Sequence, residues 1–200
     1  MYIMDQTEII YELQEICEKY CKCKITAEDI HKVLSFSKIQ KYQKNEIIHG
    51  MFEKMLHTGI VLDGIVRSYY LDIDGNEITK FFCRKGFLVM DEGLLGYENS
   101  TCAFEALKDA TILLMDTAQL KKLIKTNDTF KEIYITSLEG ALRYKIYREK
   151  EFLVKNATQR YLQFCEDFPE LKDCVKQSHI STYLGITPES LSRIRKSLKK

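Results

Sequence analysis

Apolar residues recur at helical spacing at both ends of the chain and form short runs between turn residues in the middle. In the first segment they repeat every three or four positions, which predicts an amphipathic helix; they are Ile9, Ile10, Leu13, Ile16, Cys17 and Tyr20. A second helix is predicted to begin after Thr26, which Asp29 follows in a pattern similar to a capping box.

From about residue 38 the period shortens, and turn pairs separate short apolar runs. These pairs are Lys44-Asn45, Asp63-Gly64, Asp74-Gly75, Lys85-Gly86 and Lys108-Asp109. Asp74-Gly75 in particular favours a hairpin between the run that ends at Leu71 and the run that starts at Ile78. Several short strands at this spacing predict a β jelly roll or barrel.

Residues 129–154 contain no proline, which predicts one helix of ~40 Å. The helix carries two apolar stripes. The first consists of Phe130, Tyr134, Leu138, Ala141 and Leu142. The second resembles a coiled-coil seam and is the predicted homodimer interface; it consists of Ile133, Ser137, Gly140, Tyr144 and Tyr147. A single helix covered on both stripes within one chain is the open alternative.

Residues 178–196 have the pattern of two helices joined by a tight turn. Gly185 is predicted to end the first helix in the left-handed conformation. Thr187 is the predicted N-cap of the second helix, and Pro188 its first residue. The pattern predicts a helix-turn-helix whose second helix enters the DNA major groove, although a helical hairpin with a solvated face remains an alternative.

The exposed face of the second helix carries side chains that pair with base edges. Glu189 suits cytosine, Arg193 suits guanine, and Ser192 lies beside them. Further residues suit DNA phosphates and would position the protein; they are Lys176, Ser178, Thr187, Ser190, Arg195 and Lys196, with Lys199 and Lys200 beyond them.

Overall charge at first argues against nucleic acid, because 30 basic residues face 29 acidic ones in a chain of 200. The charge is unevenly spread, however. Residues 155–200 hold nine basic and five acidic side chains, and the remainder has a net charge of −3. The predicted organisation is a sensor domain over 1–125, a dimerisation helix over 126–154 and a DNA-binding domain over 155–200.

These motifs together resemble the Crp/Fnr family of bacterial transcription regulators from about residue 38 onward. The resemblance is carried by Asp63-Gly64-Ile65-Val66-Arg67 and by residues 184–193. It implies an α+β chain with a cupin-like, cyclic-nucleotide-binding-like jelly roll, a long dimerisation helix and a winged helix-turn-helix. It also implies that Glu189, Ser192 and Arg193 recognise a TTGA-like half-site. The implied partners are double-stranded DNA, a second copy, RNA polymerase and a small-molecule effector.

The sensor domain departs from the family's phosphate cassette, which needs a Gly-Glu pair and an Arg-Ser pair. Val89-Met90 and Ser100-Thr101 occupy those positions here. A cyclic phosphate would therefore lose its charge-assisted partner, and we expect no cyclic-nucleotide binding. The candidate pocket for another effector consists of Ser100, Thr101, Arg143 and Tyr144, and no cofactor is predicted.

The cysteines are the alternative candidate for the sensor. Cys17, Cys21 and Cys23, with Cys102 or Cys83, resemble the family's iron–sulfur branch, although the spacing differs. A thiol redox sensor and inert buried thiols are the other interpretations.

The sequence fits two other classes of protein less well. A cupin-like enzyme would need clustered histidines and carboxylates, but the predicted strands offer no histidine pair, so no enzyme is predicted. A small-molecule binding module is disfavoured by the base-reading face. The absence of an 18-residue apolar run, and of a signal-peptide pattern at the N-terminus, leads us to expect a cytoplasmic protein with no membrane partner.

Overall fold

The computed structural model describes residues 6–198, so the predicted phosphate contacts Lys199 and Lys200 lie outside the described residues. Its helices are α1 Gln6–Ile16, α2 Ala27–Leu34, α3 Thr117–Thr126, α4 Asp128–Val154, α5 Ala157–Asp167, α6 Gln177–Leu184 and α7 Pro188–Leu198. Its strands are β1 Ser37–Tyr42, β2 Ile47–His49, β3 His57–Asp63, β4 Val66–Leu71, β5 Glu77–Cys83, β6 Leu88–Val89, β7 Ala103–Ala106 and β8 Ala110–Asp116.

The strands form two four-stranded sheets, with the orders β1-β8-β3-β6 and β2-β7-β4-β5. The pairs β1–β8, β3–β8, β3–β6 and β2–β7 are antiparallel, and Ser37 of β1 lies opposite Met115 of β8. The predicted jelly-roll class is confirmed, and β4 and β5 are neighbours as Asp74-Gly75 predicts. In contrast, β3 and β4 lie in different sheets, so Asp63-Gly64 links two sheets and is not a hairpin turn.

The chain divides into two compact units. Within its described residues, the first unit covers 6–67 and 82–140. One hydrophobic cluster in it joins the N-terminal helices to β3, β8, α3 and the start of α4. It contains Ile9, Leu13, Ile16, Ile25, Ile30, Val33, Leu62, Leu113, Met115, Leu120 and Phe130.

Polar contacts reinforce this cluster where α2 meets the start of α4. Thr26 caps α2 as predicted, because the backbone N–H of Asp29 donates to its hydroxyl at 3.1 Å. The Asp29 carboxylate accepts hydrogen bonds from the Thr26 hydroxyl at 2.9 Å and from Lys32 at 3.1 Å. It also accepts one from the side chain of Asn127 at 3.2 Å. The predicted capping box is therefore extended into a link between α2 and the residue before α4.

The second unit consists of residues 68–81 and the described residues from 141 onward. Its helices pack around the rings of Phe164, Phe168 and Tyr183, whose centroids lie 5.5–6.0 Å apart. Residues 155–198 contain three helices and, in this described stretch, no β-strand. The helix-turn-helix pair is thus present, whereas the wing that the resemblance implies does not occur in it.

The long helix is confirmed as α4, which has 27 residues and begins one residue before the predicted start. At the α-helical rise it is ~40 Å long. Apolar residues lie on more than one side of it, as the two stripes predict. None of the helices among residues 6–198 combines the length and hydropathy that crossing a bilayer requires.

Candidate functional site

The turn between α6 and α7 has the geometry that its sequence predicts. Gly185 has φ of +66° and ends α6 in the left-handed region. The N–H of Ile186 donates to Ser181 O at 3.0 Å, which closes the helix end. Thr187 then caps α7 by accepting from Ser190 N at 3.2 Å. Local sequence therefore sets both helix boundaries.

The predicted base-reading residues lie exposed on α7. Glu189, Ser192 and Arg193 all face solvent, whereas Leu191 is fully buried. The Glu189 backbone N–H and the Thr187 hydroxyl hold the pKa of the Glu189 carboxyl below its usual range. Glu189 is thus an ionised acceptor one turn away from the cationic guanidinium of Arg193.

The predicted phosphate-contacting residues divide into two groups. Exposed or half-buried in the second unit are Lys176, Ser178, Thr187, Ser190 and Lys196. Arg195 differs, because its Nε donates to the Tyr161 hydroxyl at 2.9 Å and its Nη2 donates to Lys172 O. The Arg195 guanidinium therefore holds α7 against α5 and the turn after it.

Four of the five residues of the predicted dimer seam make side-chain contacts inside their own chain. Ile133 packs on the hydrophobic cluster of the first unit. The Ser137 hydroxyl donates to Ile133 O at 2.8 Å and lies 3.9 Å from the thiol of Cys21. In the second unit, the Tyr144 hydroxyl lies 3.1 Å from that of Tyr183. Gly140 is exposed, and no atom lies within 4 Å of a Cβ built on it.

The fifth residue, Tyr147, donates from its hydroxyl to the Asp167 carboxylate at 2.9 Å. Five of the apolar side chains that α4 exposes share a different face of the helix. They are separated by three, four or seven positions and are 38–78% exposed: Ile135, Leu138, Leu142, Ile146 and Leu153. Sequence periodicity alone could not distinguish this stripe from the covered ones.

In the first unit, the cassette positions Ser100 and Thr101 are already engaged. Glu92 accepts from the Thr101 backbone N–H at 2.8 Å and from its hydroxyl at 2.6 Å. The Cys102 thiol also points to the Glu92 carboxylate, at 3.5 Å. Ser100 is buried and donates to Cys102 O. Sequence alignment missed Glu92, because it placed the family's acidic position two residues earlier, at Met90.

The other two residues of the candidate effector pocket belong to the second unit. Arg143 is exposed, and Tyr144 makes the contact with Tyr183 given above. The four predicted pocket residues are therefore divided between the two units.

Cysteines near the N-terminus lie on an irregular turn. Residues Cys17–Cys21 form a single π-helical turn after α1. Burial, followed by the neighbouring Cys21 and Cys23, raises the pKa of Cys17 to about 12. Burial also raises the pKa values of Cys21 and Cys23. The thiolate form that iron–sulfur ligation and thiol exchange both need is thus disfavoured.

Cys102 is fully buried beside Glu92 in the first unit. Within residues 6–198, no group of three closely spaced ligand atoms includes a cysteine. The predicted set of Cys17, Cys21, Cys23 and Cys102 is therefore not assembled for metal binding in this structure.

Comparisons with known proteins agree with the fold described above. Residues 39–127 match the family model described as "Cyclic nucleotide-binding domain". The chain is similar to FixK2 from Bradyrhizobium japonicum, with 24% identity over 82% of this chain and 84% of that one, and a TM-score of 0.71. It is similar to the c-di-GMP responsive global regulator CLP from Xanthomonas campestris, with 15% identity over 87% and 92% of the two chains and a TM-score of 0.73.

A mutant of CooA from Carboxydothermus hydrogenoformans is also similar, with 18% identity over 94% of this chain and 84% of that one, and a TM-score of 0.68. No curated protein sequence matches the chain. At these identities, the likeness to solved structures establishes a shared fold.

Proposed function

Given a chain with a cyclic nucleotide-binding domain over residues 39–127 and the fold of the Crp/Fnr regulators, we propose that it is a homodimeric, sequence-specific DNA-binding transcription regulator. The observation that carries the proposal is the exposure of Glu189, Ser192 and Arg193 on a capped helix that follows a tight turn. Glu189 is the one carboxylate of α7, and no other face of this helix combines a carboxylate with an exposed guanidinium.

The chemistry of those side chains indicates the sequence they recognise. The Glu189 carboxylate can accept from cytosine N4, and the Arg193 guanidinium can donate two hydrogen bonds to guanine O6 and N7. A TTGA-like half-site contains a G·C pair that offers both groups. Lys176 and Lys196 are exposed and supply charge for phosphates on either side.

A dimer follows from the exposed stripe on α4 and from the geometry of helix-turn-helix recognition. Leu142, Ile146 and Leu153 expose 58–78% of their surface at coiled-coil-like spacing. A second copy of α4 covers such a stripe along its length, and the resulting two-fold symmetry matches a palindrome. The proposed seam therefore lies on this stripe and not on the five residues that the sequence pattern favours.

The proposed signal is a small molecule other than a cyclic nucleotide. Glu92 already occupies the Thr101 N–H and hydroxyl, two of the donors that a bound anion in the cassette would use. Ser100 stands where the cassette needs its arginine, so an incoming phosphate would lack its charge-assisted partner. We further propose that the regulator acts in the cytoplasm and that RNA polymerase is its partner at promoters.

The test is a mobility shift of the full chain on a TTGA-containing palindrome at physiological salt. Nanomolar binding, with loss of affinity on a palindrome whose G·C pairs are exchanged for A·T, supports the proposal. Equal affinity for both duplexes, or no binding, overturns it. The same protein in sedimentation analysis should have the mass of two chains.

A further inference from the structure

We propose that Arg148 and Arg160 are positioning residues that set the spacing between the two DNA half-sites. They touch no base, and they act by fixing the helix-turn-helix on the end of α4. This inference rests on the proposed function, because it concerns how a DNA-binding dimer measures the distance between half-sites. All of its evidence lies within the second unit.

Arg148 holds the last turn of α6 from the side of α4. Its Nη2 donates to Tyr183 O at 2.6 Å. Its guanidinium carbon lies 3.7 Å from the centroid of the Tyr183 ring and 4.8 Å from that of Phe152. The side chain is thus fixed by a charge-assisted hydrogen bond and by stacking on aromatic rings.

Arg160 holds the next carbonyl from the side of α5. Its Nε donates to Leu184 O at 3.1 Å, and its Nη1 donates to Lys155 O at 2.7 Å. The guanidinium carbon lies 5.0 Å from the Phe152 ring centroid, so this ring contacts both arginines. One arginine therefore ties together the end of α4, the start of α5 and the end of α6.

The two carbonyls they bind are those that the helix cap leaves open. The N–H groups of Gly185 and Ile186 donate to Thr182 O and Ser181 O, which are one turn earlier. The last carbonyls of a helix lack partners inside the helix, and cations are favoured at that end. Arg148 and Arg160 thus donate to the carbonyl oxygens of Tyr183 and Leu184, the two residues immediately before the turn into α7.

Phe152 closes the arrangement from the α4 side. A Cβ on Gly185 would lie 2.7 Å from Cε1 of its ring, so the turn packs directly against α4. Gly185 is required both by its φ of +66° and by this close approach. The direction in which α7 leaves the turn is therefore set by contacts with α4 and α5.

In the proposed dimer, these contacts connect each recognition helix to the surface that meets the second copy. Leu142, Ile146 and Leu153 lie on the same segment of α4 as Arg148, and they are the proposed contact with the second copy. Each recognition helix is thereby fixed to the seam, and the distance between the two helices is rigid. A rigid dimer rejects half-sites moved by one base pair, because the insertion shifts a half-site by ~3.4 Å and rotates it about the DNA axis.

The experiment measures binding of the full chain to three palindromes by fluorescence anisotropy. One palindrome has the optimal spacing, and the others have one base pair more or one fewer. Arg148→Lys keeps the charge but loses the planar stack and the aligned donor. We expect it to reduce the preference for the optimal spacing about tenfold, as for loss of one charge-assisted hydrogen bond.

Arg160→Lys breaks the second carbonyl contact and should reduce the spacing preference in the same direction. If Arg148→Lys does not fold, the spacing preference of Arg160→Lys is the test of the proposal. The control is Lys150→Arg, the opposite substitution at an exposed position of the same helix, which should leave the spacing preference unchanged.

Each outcome has one meaning. A spacing preference that stays at the wild-type value in a folded variant overturns the inference. An equal loss of affinity on all three duplexes also overturns it, because it indicates a general structural role. Failure of the wild-type protein to bind any palindrome instead overturns the proposed function, so the two failures are distinguishable.

Discussion

Inside the first unit, Arg67 donates a hydrogen bond from Nη2 to Oε2 of Glu105 at 2.6 Å. The Arg67 side chain is fully buried, and that of Glu105 is 9% exposed. Both charges have lost most of their hydration, and the ion pair between them offsets part of that cost. The pair joins β4 to β7, which are neighbours in the second sheet.

Removing this carboxylate should destabilise the protein strongly. Glu105→Ala leaves the buried guanidinium without the Glu105 carboxylate, and we expect the free energy of unfolding to fall by about 3–5 kcal/mol in urea denaturation. Glu98→Ala, an exposed glutamate in the same unit, should change it by less than about 0.5 kcal/mol. A small effect of Glu105→Ala would show that solvent or another group compensates Arg67.

Arg193→Ala should weaken binding to the cognate palindrome by ~1–3 kcal/mol and relax specificity at one base pair. The reason is loss of two hydrogen bonds to a single guanine. Binding to a set of half-sites with single substitutions measures this effect. Lys196→Ala is the comparison and should weaken all sequences alike and lower the salt slope by about one. A uniform loss for Arg193→Ala would make Arg193 a phosphate contact.

Leu142→Glu should convert the dimer into a monomer. It places a charge in the middle of the proposed seam, where the matching residue of the second copy brings a like charge. Sedimentation equilibrium measures the change. Ile73→Glu replaces a fully exposed apolar residue away from α4 and should leave the mass unchanged. A dimeric Leu142→Glu protein would move the interface to another surface.

Cyclic AMP and cyclic GMP should produce no binding heat in isothermal titration. The Thr101 donors are bound to Glu92, and Ser100 stands at the cassette position that needs an arginine. The Xanthomonas neighbour is described as c-di-GMP responsive, so that dinucleotide belongs in the same titration. Micromolar affinity for either cyclic mononucleotide would contradict the proposed class of signal.

Asp29→Asn should remove a contribution to the free energy of unfolding that the wild type has at neutral pH and loses in acid. Burial raises the pKa of Asp29, but hydrogen bonds from Thr26 and Lys32 outweigh it and hold the pKa below its usual range. Stability from a lowered carboxyl pKa is present above the unfolded-state pKa of ~4 and is lost as the pH falls through the folded-state pKa.

The measurement is the free energy of unfolding from pH 7 down to pH 3. The wild type should lose more stability than Asp29→Asn over the acid end of this range. Glu28→Gln, an exposed neighbour on α2, is the matched control and should follow the wild type. Parallel curves for wild type and Asp29→Asn would place the acid-sensitive groups elsewhere.

Features that depend on neighbouring residues were predicted correctly from the sequence. The caps at Thr26 and Thr187 and the turn at Gly185 involve contacts over only three to five positions. Short strands and one long helix likewise follow from the period of apolar residues. The wing came from the family resemblance alone, and no strand supports it among the described C-terminal residues.

Contacts between distant segments could not be predicted in the same way. Both stripes of α4 are apolar, so periodicity could not tell that Tyr147 pairs with Asp167 while Leu142 remains exposed. Arg195 has the sequence context of a phosphate ligand, but its guanidinium binds Tyr161 and a backbone carbonyl. Glu92 lies outside the aligned acidic position and reaches Thr101 through the fold of its loop.

By itself, therefore, the sequence determined the elements, their ends and the chemistry of the recognition helix, because capping and periodicity are local. Only the tertiary structure decided which face of α4 is free, what fills the cassette and how the turn before α7 is held. Those outcomes depend on side chains far apart in the chain, such as Arg148 and Tyr183, whose contact is formed only when the helices pack.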